Sequence, residues 1–240
     1  MARASDKDGC RKLSLLFCFL LLQCLTSCKS TPVPSGDWGA TQDAGLEAVQ
    51  QGRYVEADAL IAKALRQAEP FGPKDPRLAR TLMNQGLLYF KQKRYVEAEA
   101  VWRRASAIFE ESLGPNHTDF AASLSNLGLV FWAQGRLPEA EPFMREALMI
   151  DERAMGPDHP EVSLNLNNLG GLFVDQGKYF EAEPLLRRAL TIRENTLGPD
   201  HIGITAVLDN YARLLRKTHR AEEAAKFEER ARIIRIKHQN

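Results

Sequence analysis

LGPNH at 113–117, MGPDH at 155–159 and LGPDH at 197–201 stand 42 residues apart, and FGPKD at 71–75 is a looser fourth copy. A loop that recurs at a fixed interval marks a stack of equivalent units rather than one closed core. Each unit must then supply its own elements between consecutive loops.

Those elements read as two helices per unit. From Pro160 to Gln176, Leu164, Leu166, Leu169, Leu172 and Phe173 fall at helical spacing, and Gly177 stops the run. A second helix starts at Lys178 or Tyr179 and runs to about Leu197, with Ala182, Leu185, Leu186, Ala189, Leu190 and Ile192 apolar. Pro184, and Pro142 one unit earlier, are expected in the first turn, where a missing N–H costs little.

Small residues keep one register throughout. Leu127-Gly128, Phe131, Ala140 and Ala147 are repeated as Leu169-Gly170, Phe173, Ala182 and Ala189, and as Gly86, Tyr89, Ala98 and Ala105. A degenerate first copy has Gly45, Ala48, Ala57 and Ala64; a last copy has Ala212, Leu215, Ala224 and Ala231. The interval from the Gly (or Ala212) to the second-helix Ala is always 12 residues. Two helices approach closely only where a side chain is nearly absent, which gives these positions a physical reason.

This pattern resembles the tetratricopeptide signature, and the 42-residue period resembles the repeats of kinesin light chain and its bacterial relatives. The resemblance spans roughly residues 37–240. It implies an all-α, right-handed αα-superhelix of about five hairpins, with repeats at about 38–71, 79–112, 121–154, 163–196 and 205–238. It also implies a peptide-binding concave face lined by the first helix of each hairpin. Asn84, Asn126, Asn168 and Asn210 stand two residues before each small position, with Asp43 in the first copy. In related tetratricopeptide proteins an Asn here contacts peptide backbone. An amide offers two donors and one acceptor, so such a ladder could hold an extended peptide of any sequence.

One helical turn to either side adds Arg80, Met83, Leu87, Lys91, Ser125, Leu129, Trp132, Asn167, Gly171, Asp175, Asp209, Arg213, Arg216 and Lys217 as groove candidates. The basic last copy points to an acidic or C-terminal-carboxylate ligand end. Ile61, Trp102, Met144 and Leu186 occupy one second-helix position and are expected to pack toward the next repeat. Glu228 stands there in the last copy and is expected to cap the stack.

The N-terminal segment reads as an address. Arg3, Lys7, Arg11 and Lys12 precede the apolar run Leu13 to Leu25, which is too short for a membrane-spanning helix. It ends in Leu25-Thr26-Ser27-Cys28, which resembles a bacterial lipobox. That resemblance implies a signal peptide over 1–27, a diacylglyceryl group and an N-acyl chain on Cys28, and a flexible tether over 28–36. Lys29 after the cysteine implies sorting to the outer membrane. Removal of residues 1–27 takes four basic and two acidic residues away and turns the formal charge of +1 into −1.

Composition excludes several classes. The formal charge of +1 gives no bulk electrostatic case for nucleic acid. All four cysteines lie within the first 28 residues, so residues 29–240 carry no disulfide framework and no thiolate nucleophile. There is no GxSxG, Walker loop or GxGxxG. His117, His159 and His201 recur in the loops, too far apart to share a metal, and are expected to cap them. Glu139, Glu141, Glu181 and Glu183 are expected on exposed helix starts. The expectation is therefore a non-enzymatic adaptor without cofactor, metal, nucleic acid or small-molecule substrate. It would be lipid-anchored in the cell envelope and bind a protein or peptide in its groove. The alternative is a structural or self-associating component using convex face and ends; the oligomeric state stays open.

Overall fold

The computed structural model describes residues 38–238. The expected signal peptide, Cys28 and the tether lie outside the described residues. Among these residues the structure is ten α-helices and two short 3-10 turns, with no strand. The helices pair as α1 (Trp38–Gln50) with α2 (Tyr54–Ala68), α3 (Pro76–Lys91) with α4 (Tyr95–Leu113), and α5 (Thr118–Ala133) with α6 (Leu137–Met155). α7 (Pro160–Asp175) pairs with α8 (Tyr179–Leu197), and α9 (Thr205–Lys217) with α10 (Ala221–Lys237). Five hairpins thus stack into an αα-superhelix, each helix packing on its chain neighbours.

The small residues make the hairpins. A Cβ added to Gly86 would lie 2.2 Å from Trp102 Nε1; on Gly128 it would lie 2.5 Å from Met144 Cγ, and on Gly170 2.7 Å from Leu186 Cγ. Ile61, Trp102, Met144 and Leu186 therefore fill the notch of their own hairpin, not the face toward the next repeat as expected. Trp102 Nε1 also donates to the Met83 carbonyl at 3.1 Å. Glu228 stands opposite Ala212, where no notch exists, and turns outward to pair with Arg216. Ala57, Ala98, Ala140, Ala182 and Ala224 are fully buried.

Loop chemistry sets the helix ends. His117 Nδ1 accepts from the Asp119 amide at 3.0 Å, His159 Nδ1 from Glu161 at 3.2 Å and His201 Nδ1 from Gly203 at 3.0 Å. Asp75 does the same for Arg77 at 2.9 Å. These are N-caps, as expected, and each satisfies an amide that the first turn leaves unpaired. They draw the first helices back to Pro76, Thr118 and Pro160, three residues ahead of the repeat starts read from the signature. Gly114, Gly156 and Gly198 end the second helices at φ of 91°, 90° and 89°. Pro142 and Pro184 lie inside α6 and α8, beyond the first turn where the sequence placed them. Both are exposed, so the carbonyl that loses its partner faces solvent.

The repeats are stitched by charge. Glu99 pairs with Arg136 at 3.1 Å, Glu141 with Lys178 at 2.6 Å and Glu183 with Arg220 at 2.9 Å, each pair one repeat on from the last. Glu141 and Glu183 are thus half-buried bridges, not the exposed helix-start charges expected. Burial opposes the ionisation of Glu141, but bonds from Lys178 and Arg145 outweigh it and hold its carboxyl below the usual range. The bond from Arg220 does the same for Glu183. Arg136 and Lys178 also lie over the rings of Phe131 (4.2 Å) and Phe173 (5.3 Å).

Three substitutions test this packing and the backbone geometry of the turns. Gly86→Ala must push the rigid Trp102 indole aside and is expected to cost ~1–3 kcal/mol. Gly45→Ala meets Ile61 Cγ1 at 3.2 Å and gains ~1 kcal/mol of helix propensity, so denaturant melts should rank it near neutral. Lys93 holds φ of 60° where Gly135 and Gly177 stand in the next hairpins. Relieving that conformation in Lys93→Gly is expected to raise the thermal midpoint by ~2–4 °C.

Candidate functional site

Successive first helices run side by side, and the gaps between them form the candidate face. One cleft of about 270 Å3 lies between α5 and α7, above the end of α6. A second, of about 200 Å3, occupies the matching place one repeat earlier, between α3 and α5 above the end of α4. Position for position the two correspond: Met83, Asn84 and Phe109 in one, Ser125, Asn126 and Asp151 in the other.

The asparagine ladder divides. Asn84 Nδ2 donates to the Gln42 carbonyl at 3.4 Å, and Asn210 Nδ2 donates to Asn167 Oδ1 at 2.9 Å. These two tie neighbouring first helices together. Asn126 and Asn168 are part-exposed, and their side chains make no hydrogen bond among the described residues. Their amides are free to meet a ligand, and Asn126 lines the larger cleft.

The C-terminal part of the face is engaged with itself. Trp132 Nε1 donates to Asp175 Oδ2 at 2.8 Å, and Arg213 reaches the other oxygen of that carboxylate at 2.9 Å. Arg213 also donates to the Gly171 carbonyl at 3.1 Å and to Asn210 Oδ1 at 3.2 Å. A Cβ on Gly171 would lie 2.7 Å from Trp132, so the indole roofs this glycine. Asn167 is buried beneath the network. Arg216 is held by Glu228 and Asp209 by Arg235. The positive charge expected to greet an acidic ligand is therefore already neutralised, Lys217 excepted.

Toward the other end, Arg80 pairs with Asp119 at 2.8 Å across two first helices. Leu87 and Leu129 pack against the core, and Met83 lines the smaller cleft. Lys91 and Asp43 are exposed. Among the described residues no group of acidic, histidine or cysteine side chains is placed to hold a metal.

Sequence reasoning missed Asp151. It sits on a second helix, away from the presumed ligand face, at the position held by Ala68, Phe109, Arg193 and Arg235 in the other copies. The one acidic residue in a column of Ala68, Phe109, Arg193 and Arg235 was the available signal. Its residue is 6% exposed, its Oδ2 accepts from Asn165 Nδ2 at 2.7 Å, and its Oδ1 has no partner. Burial pushes the carboxyl up to about 6, from an ordinary 3.8.

That shift has a sign. A carboxyl whose folded value is raised destabilises the fold when ionised, so stability grows as pH falls through about 6 and the gain is complete near 3.8. Asp151→Asn is expected to stabilise the protein by on the order of 1–2 kcal/mol at pH 8. Denaturant titrations from pH 8 to pH 4 should show that advantage shrinking.

The sequence profile described as Tetratricopeptide repeat matches residues 44–100, 77–153, 119–179 and 161–236. Comparison with curated protein sequences returns no significant match. Among solved structures, BtubC (BKLC) from P. vanneervenii is 24% identical with a TM-score of 0.68, over 80% of this chain and 77% of that one. The kinesin-light-chain-type, nearly identical TPR-like repeats of Podosopora anserina are 22% identical with a TM-score of 0.67, over 87% and 99%. A Rap protein complexed with Competence and Sporulation Factor is 14% identical with a TM-score of 0.59, over 84% and 65%. At these identities the likeness is one of fold. The overlapping profile matches, the five hairpins and their glycine notches together show that the chain belongs to the tetratricopeptide repeat family.

Proposed function

We propose that this protein is an adaptor that holds an extended segment of a partner protein along its first helices, while Cys28 tethers it by lipid to the periplasmic face of the outer membrane. Tetratricopeptide stacks commonly bind protein or peptide partners, and the Rap relative was solved as a complex. The observation that carries the reading here is the pair Asn126 and Asn168. Both stand at the ladder position, both are part-exposed, and neither spends its amide on the fold. Two amides one repeat apart suit a peptide backbone, whose donors and acceptors recur along an extended strand. The lipid anchor rests on Leu25-Thr26-Ser27-Cys28 alone. No catalytic role is proposed.

A structural role through the outer edge is the second reading. Val55, Val96 and Phe180 stand at equivalent starts of second helices and are 89%, 76% and 92% exposed.

The double variant Asn126→Ala, Asn168→Ala separates the two. In-cell photocrosslinking from the first-helix face is expected to lose its partner adducts, with the circular dichroism spectrum unchanged. Undiminished adducts would sink the groove reading and favour the outer edge. Cys28→Ala is expected to abolish incorporation of radiolabelled palmitate; equal labelling of both proteins would remove the anchor.

A further inference from the structure

The cleft over Asp151 is built unlike its counterpart one repeat earlier. There Phe109 gives an apolar floor; here the floor is a carboxylate with one oxygen unpartnered. Ser125 Oγ donates to Asn165 Oδ1 at 3.0 Å, and Asn165 passes its own amide to Asp151 Oδ2. All three side chains are buried, so this relay fixes the carboxylate, and Asp151 lines the cleft with its Oδ1 unpartnered. Ala122, Met155 and Leu164 make apolar walls, and Glu161 stands at the rim with Asn126. One repeat further on, Arg193 takes the same position and satisfies itself on Ser163 Oγ and the Gly203 carbonyl.

We propose that this cleft is a subsite for an alkyl cation, the side chain of an arginine or lysine carried by the segment bound along the first helices. The proposal rests on the groove reading. The chemistry is complementary at both ends: methylenes lie against Met155 and Leu164, and the cationic head meets Asp151 Oδ1 with Glu161 behind it. A cleft of about 270 Å3 is larger than the ~30 Å3 share of one water and smaller than the ~300–1,000 Å3 of pockets for drug-sized ligands. It suits one long side chain. Fold stability alone gives no reason for the arrangement, because an unpaired buried carboxylate is a cost that Phe109 avoids at the same position.

Ionisation gives the subsite a pH dependence. The groups facing Asp151 are Asn165 and Glu161 on α7, His159 before it, and Ser125 with the Arg80-paired Asp119 on α5. With its carboxyl near 6, Asp151 is ionised at pH 7.5 and holds the cation; as pH falls through 6 it protonates and lets go.

The test uses the full chain and two fluorescein-labelled pools of blocked octapeptides. They are identical except that a fixed arginine in one is its neutral isostere citrulline in the other. The arginine pool is expected to bind about tenfold more tightly at pH 7.5, as a charge-assisted bond would give. The advantage should fade by pH 5 and vanish in Asp151→Asn, which keeps an oxygen for Asn165. Equal affinity of the two pools for the wild type, or an advantage that survives Asp151→Asn, overturns the subsite and leaves the groove standing. If neither pool binds, the groove reading fails by itself. Titration of n-butylguanidinium, followed at the Met155 methyl by NMR, then decides the cleft. A shift absent from Asp151→Asn keeps the cation site; no shift overturns it.

Discussion

Close approach of two helices at a residue without a side chain is the constraint on which this structure depends. Gly86, Gly128 and Gly170 leave notches that Trp102, Met144 and Leu186 fill, and the buried alanines 12 residues after each glycine complete the seam. A helix of ordinary surface residues would hold its partner farther off and open a void along every hairpin. The final hairpin shows the rule from the other side. With Ala212 the notch closes, the knob has nowhere to go, and Glu228 turns to Arg216.

Close hairpins alone would not fix how one sits on the next. That is the work of residues which recur at the same interval but act between repeats. The basic residue just before α6 and that before α8 each lie over their own aromatic and reach a glutamate of the preceding hairpin, Arg136 with Glu99 and Lys178 with Glu141. Arg188 with Glu152 and Arg230 with Glu194 tie the second helices to each other in the same way. Because every repeat meets only its neighbours, such local ties set the pitch of the stack. The clefts between first helices are the spaces that pitch leaves over.

What occupies those clefts differs along the chain. Toward the C-terminus the space is closed by Trp132, Asp175 and Arg213, which satisfy one another. In the middle it is open, with two uncommitted amides and one carboxylate held in place but half unpaired. A buried carboxylate raised to about 6 lowers the stability of the fold, where the equivalent Phe109 one repeat earlier carries no such cost. Residues that break a local rule in this way belong to binding sites more often than to scaffolds.

Period, hairpin count, helix type and the capping role of the loop histidines were all legible in the sequence, because each depends on contacts within one repeat. The spacing of Gly128, Ala140 and His159 is a local matter, and local chemistry determined it. The candidate face was legible only in part. Asn84, Asn126, Asn168 and Asn210 are indistinguishable as a sequence column, yet two are consumed by neighbours and two are not. Arg213 and Arg216 read as a basic patch until their partners 38 and 12 residues away came into contact. Asp151, on a second helix, was not among the groove residues expected from the sequence. Only the stacking of one hairpin on another decided which polar groups found partners, since that choice rests on distances between repeats that no single repeat encodes.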